Sequence, residues 1–77
     1  MEKHIEAHLV SQIRKLGGMA YKFTSPARAA VPDRMFITQD GRVFFCEFKA
    51  AGKKPTEAQA REHQRLRDQK VTVFVID

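Results

Sequence analysis

The stretch VPDRMFITQDGRVFFCEFKA, residues 31–50, decides how this chain folds. It holds two strand-forming runs, Arg34–Thr38 and Arg42–Lys49, separated by Gln39, Asp40 and Gly41. Apolar runs joined by a few turn residues that include glycine read as an antiparallel hairpin. Loop length then sets the register. A three-residue loop with Gly41 left-handed pairs Thr38 with Arg42 and sets Asp33 opposite Glu47. A two-residue Asp40-Gly41 turn pairs Gln39 with Arg42 and throws Asp33 onto the other face, because a one-residue slip inverts every side chain. The three-residue loop is preferred, since it gathers the two acids into one place.

Outward from the hairpin, residues 2–16 read as a helix, with Ile5, Leu9, Ile13 and Leu16 at three- and four-residue steps and Val10 widening the stripe. Gly17 and Gly18 end it, and Arg14 and Lys15 sit where the helix dipole favours cations. Met19–Phe23 alternates as a short strand, and residues 24–31 form a loop. Residues 50–54 make a basic connector. A second helix starts at Pro55 with Thr56 as N-cap and Gln59 at the capping-box position, and runs to about Gln69. Its apolar content is thin, with Leu66 the only large aliphatic. Val71–Ile76 is a strand apolar on both faces, expected in the sheet interior after a parallel crossover. The order αβββαβ makes a single α/β domain over residues 1–77, a small mixed sheet flanked by helices.

At 77 residues the chain has room for one small domain. Such a domain buries roughly 60 % of the surface its unfolded form exposes, and much of this chain's apolar content is alanine. With one cysteine it can form neither a disulfide within the chain nor a cysteine-type zinc site, so a second copy of itself is the readiest source of extra buried surface. No run is long enough to span a bilayer, no secretory leader opens the sequence, and cysteine usage fits the reducing cytoplasm. Fourteen Lys and Arg against nine Asp and Glu give a net charge of +5, which points to a polyanionic partner.

Against that basic background the acids stand in unusual places. Glu47 lies inside a strand between Cys46 and Phe48, where an unpaired carboxylate is costly. Alternation sends Glu47 and Lys49 to one face and Phe48 to the other. Glu6 falls on the apolar stripe of the first helix, with Glu2 one turn before it. Each has an ordinary reading: a surface ion pair for Glu47 and Lys49, strand punctuation for Pro32-Asp33, a solvated edge for Glu6, a cap for Gln59. Cys46 reads as a small core side chain. His4 and His8, one turn apart, and His63 do not match a recognised zinc spacing. Taken together, two carboxylates from adjacent strands beside a strand carbonyl make an all-oxygen site suited to Mg²⁺ or Mn²⁺. A lysine two residues on adds a fixed positive charge, and that combination suits phosphodiester hydrolysis.

Pro32-Asp33 followed by Glu47-Phe48-Lys49 resembles the PD-(D/E)XK signature of a nuclease superfamily. With Glu6 in an opening helix, Val31-Pro32-Asp33-Arg34, Glu47-Phe48-Lys49-Ala50 and Pro55-Thr56-Glu57-Ala58-Gln59, the chain is similar to the virus-type replication-repair nuclease family, VRR-NUC, over essentially its whole length. Ala30 replaces the glycine usual before Val-Pro-Asp, and the helix that many relatives carry after the last strand has no counterpart here. The resemblance implies a restriction-endonuclease-like core and divalent-metal-dependent DNA cleavage. It makes Asp33 and Glu47 side-chain metal ligands, Phe48 a main-chain ligand, Glu6 a helix-borne acid acting directly or through water, Lys49 the catalytic lysine and Gln59 the polar organiser. Stand-alone phage members are associated with homodimers that cut four-way DNA junctions, so the leading expectation is a Holliday-junction resolvase acting as a homodimer, phage-encoded in a bacterial host. The alternatives are a flap or nicking nuclease working in a larger replication-repair complex, and a non-catalytic basic DNA-binding module. Lys22, Arg28, Arg34, Lys53 and Lys54 flank the proposed site as candidate DNA contacts, Arg28, Lys53 and Lys54 foremost. Arg61, Arg65 and Arg67 face either water or a partner.

Overall fold

The computed structural model describes residues 2–77, with side chains from His4 onward. Glu2 therefore contributes backbone only, and its expected place beside Glu6 lies outside the described side chains. Six elements follow in order: α1 (Glu2–Lys15), β1 (Met19–Lys22), β2 (Arg34–Ile37), β3 (Val43–Phe48), α2 (Glu57–Asp68) and β4 (Thr72–Ile76). The sheet runs β1-β2-β3-β4, with the first two neighbours antiparallel and β3–β4 parallel. This is the expected small mixed sheet with helices on both faces.

The α1 stripe builds the core. Val10 is buried, and Leu9 and Ile13 pack with it against Phe36, Cys46 and Phe48, all from one face of the sheet. The helix closes on a left-handed Gly17 (φ 82°), with Gly18 N–H donating to Ile13 C=O and Gly17 N–H to Arg14 C=O. That pair of bonds is a Schellman cap. It ends the helix one residue earlier than the apolar spacing implies and turns Leu16 out to 69 % exposure. A side chain at Gly18 would meet Ile37 C=O at 2.5 Å, so glycine lets the helix end approach β2.

The hairpin adopts the three-residue register. Arg34 pairs with Cys46 and Ile37 with Val43. Thr38 N–H donates to Arg42 C=O at 2.9 Å, and Gly41 takes the left-handed conformation (φ 87°). The same count places Asp33 across from Glu47.

β4 departs from expectation. It is the outer strand next to β3, not an interior one. Its two apolar faces arise because helices lie on both sides of the sheet: Val73 is buried on the α2 side, while Phe74 meets Phe44 edge-on on the other. Phe74 and Val75 remain 50 % and 38 % exposed, since neither helix covers the strand fully. No described helix is long and apolar enough to cross a membrane.

Candidate active site

The site is assembled at one end of the sheet, where β2 begins and β3 ends. Asp33 is positioned through its backbone, whose C=O accepts from Phe23 N–H at 2.8 Å and extends the β1–β2 ladder past its last paired residue. Its side chain reaches across to β3, where Oδ2 accepts from Phe48 N–H at 3.1 Å. The strand partner of Phe48 would be Pro32, which stands just outside the β2 ladder; the carboxylate occupies that gap.

Glu47 is 2 % exposed and points to the α2 face. Its Oε2 sits 3.3 Å from Lys49 Nζ and accepts from Gln59 Nε2 at 3.3 Å. Its Oε1 has no hydrogen-bond partner among the described residues, and neither does His63 Nε2, 3.9 Å away. Burial, and then the charge of Asp33, hold the Glu47 carboxyl above its ordinary range, with Lys49 opposing them. His63 is shifted downward, chiefly by burial and then by Arg67 and Lys49, so at neutral pH the facing imidazole is uncharged. At 3.9 Å a neutral ring and a carboxylate form neither an ion pair nor a normal hydrogen bond.

Gln59 performs both tasks that its position allowed. Its Oε1 accepts from Thr56 N–H while Thr56 Oγ1 accepts from Gln59 N–H, completing the capping box, and its Nε2 holds Glu47. The cap therefore fixes the rotamer that addresses the acid.

The structure thus gathers Asp33, Glu47, Lys49 and Gln59. Glu6 is not gathered with them. It lies on the α1 side, where its Oε2 accepts from Arg34 Nε at 2.6 Å. This also engages Arg34, whose side chain is only 15 % exposed. Arg28 is likewise engaged, donating through Nε to Glu62 at 2.8 Å. Lys22, Lys53 and Lys54 remain exposed. Cys46 is fully buried, and burial pushes its thiol up to about 11, which makes it an inert core group. Ala30 takes an ordinary backbone conformation, for Lys70 is the only non-glycine residue with positive φ among those described.

Sequence reasoning missed His63 and Glu62. On α2 only Gln59, Glu62, His63 and Leu66 are buried or half-buried. That set follows the i, i+3, i+4, i+7 rhythm of an inward helix face. The rhythm was present in the sequence, but three of its four members are polar, so a search for apolar periodicity passes over it.

Among the described residues no three His, Cys, Asp or Glu side chains form a ready metal-binding set. The donors that do converge are two carboxylates next to the main chain of Phe48, and the orphaned Oε1 of Glu47 leaves one of them short of a partner. An oxygen set this sparse fits Mg²⁺ or Mn²⁺, since Mg²⁺ is commonly held by one or two carboxylates and keeps several waters.

No protein-family model matches the chain. It is similar to "Putative nuclease p44" of Acyrthosiphon pisum secondary endosymbiont phage 1, with 53 % identity over 76 residues, covering 99 % of this chain and 82 % of that protein. Among solved structures it is similar to one described as a VRR_NUC domain, with a TM-score of 0.89 and 32 % identity, covering 97 % of this chain and 82 % of the other. The VPD and EFK segments that carried the sequence resemblance are those that the fold brings together at Asp33, Glu47 and Lys49. The chain belongs to the VRR-NUC family, on its phage-like side.

Proposed function

We propose that this protein is a divalent-metal-dependent, structure-specific DNA endonuclease that resolves four-way (Holliday) junctions as a homodimer. The observation that carries this reading is the meeting of Asp33 and Glu47 at one end of the sheet with the Lys49 ammonium 3.3 Å from Glu47. The phage relative bears the name nuclease, and the basic surface supplies attraction for a phosphate backbone.

Asp33, Glu47 and the Phe48 carbonyl would hold the metal, while Glu6, paired with Arg34 on the α1 side, stays outside that set. A bound Mg²⁺ or Mn²⁺ would polarise the scissile phosphate and lower the pKa of a coordinated water. The rest falls to the chain's own groups. Lys49 is one-fifth exposed, so its ammonium can reach substrate while Glu47 keeps it in place. There it would orient the attacking water and offset the charge gathering on phosphate oxygens. Gln59 holds Glu47 Oε2, so the carboxylate stays aimed while substrate exchanges. A two-fold dimer would present two such centres to opposite strands of a junction.

The test is cleavage of labelled linear, flap and four-way DNA with Mg²⁺ or Mn²⁺. Junction cleavage that spares linear duplex is expected; cutting of flaps or nicks alone favours the accessory-nuclease reading. For Lys49→Ala, junction binding should persist while the cleavage rate falls by about 10²–10³-fold, the usual scale for losing one group that stabilises developing charge. If no DNA is cut under any of these conditions, the enzymatic reading is lost.

A further inference from the structure

Beside the active site, α2 carries a second stripe. Ala58, Arg61, Glu62 and Arg65 line one wall of a cleft of about 380 Å³, and the β1–β2 loop supplies the other wall with Arg28 between small alanines. Three guanidinium groups therefore surround a space whose remaining lining is alanine and one carboxylate. That carboxylate is the anomaly. Glu62 is 7 % exposed, which a carboxylate tolerates only when well paired, and the proposed chemistry makes no use of it. Its Oε1 accepts from Arg28 Nε at 2.8 Å and lies 3.5 Å from Arg65 Nε. Both contacts run through Nε, the side nitrogen, so the terminal amino groups are not the atoms spent on Glu62. Arg61 enters no ion pair among the described residues and is exposed.

We infer that this cleft is a phosphate subsite, taking a backbone phosphate of the DNA strand that flanks the scissile one. This rests on the DNA-cleaving reading above. Glu62 holds two arginines in place before DNA arrives, which lowers the ordering cost of binding, and the planar guanidinium fork matches phosphate oxygens. Three positive charges against one negative leave the excess that an anion requires. The alanine walls admit a sugar–phosphate chain closely and offer no aromatic surface on which a base could stack. Position supports the assignment as well. Arg28 and Ala29 also line the hollow that contains Asp33, so a strand leaving the carboxylate pair passes directly into the cleft.

The experiment compares wild type, Arg61→Ala and Arg61→Ala/Arg65→Ala in binding a labelled four-way junction across a salt series. Each lost phosphate contact should reduce the slope of log K against log salt by about 0.9, so weaker binding with a flatter slope is expected. Divalent-ion binding measured by calorimetry should not change, and it confirms that the variants keep their fold. Variants that bind DNA with wild-type affinity and slope overturn the subsite while leaving the nuclease reading intact. A wild-type protein that neither binds nor cuts DNA overturns both.

Discussion

Glu47 concentrates the tension of this molecule in one side chain. It is buried beside another carboxylate, and it keeps its place through Lys49, Gln59 and the backbone of β3. Because folding raises its pKa, the folded state binds the proton more tightly than the unfolded chain does. Its contribution is thus favourable below the unfolded value of about 4.3 and is lost as pH rises through the higher folded value. Glu47→Gln, neutral throughout, should melt above wild type at pH 8 and lose that advantage near pH 4. Divalent ion should act in the opposite sense. At a hundredfold excess over Kd a bound ion stabilises the wild type by about 2.7 kcal/mol, and the variant should gain nothing. Calorimetric melts at the two pH values, with and without Mn²⁺, measure both effects; equal gains in the two proteins would remove Glu47 from the metal site.

The hairpin and α2 show how local signals reach the chemistry. Gly41 sets a three-residue loop, the loop sets the register, and the register puts Asp33 across from Glu47. The alternative turn would have separated the two acids by the thickness of the sheet. On α2 a local cap becomes a functional contact, because the Gln59 side chain is long enough to serve Thr56 with one end and Glu47 with the other. The far end of this helix is less well suited to its geometry. Lys70 occupies the left-handed position of a Schellman cap (φ 68°), with Val71 N–H donating to Leu66 C=O and Lys70 N–H to Arg67 C=O. A side chain there costs about 1–2 kcal/mol, and glycine returns part of the gain as unfolded-state entropy. Lys70→Gly should therefore add about 0.5–1 kcal/mol, raising the melting temperature by about 2–8 °C in a domain of this size. An unchanged or lower melting temperature would show that the lysine makes compensating contacts.

As a whole the protein has little interior. Among the described residues the buried apolar ones are Val10, Phe36, Cys46, Phe48 and Val73, whereas Leu16, Met19, Tyr21, Val43, Phe74 and Val75 stand substantially exposed. Several of these lie on the outer strands, and β4 leaves one edge of the sheet open. The proposed homodimer would cover part of this surface and would tie folding to association. Melting temperature should then rise with protein concentration, each tenfold step contributing about 1.4 kcal/mol per dimer. A melting temperature constant over a hundredfold range, together with a monomer mass in sedimentation, would count against the dimer.

The parts legible in the sequence are those that close neighbours decide. Strand alternation puts Glu47 and Lys49 on one face, a glycine three residues into a loop selects a hairpin register, and Thr56 with Gln59 starts a helix. Each depends on backbone geometry within a few residues. Tertiary structure decided what depends on which surfaces stack. It set β4 at the sheet edge, turned a polar stripe with His63 inward against Glu47, and paired Arg34 with Glu6 and Arg28 with Glu62 across 28 and 34 residues of chain. Charge pairing and burial are properties of the packed solid, because the field at a side chain comes from whatever lies beside it in space, and sequence spacing carries no record of that.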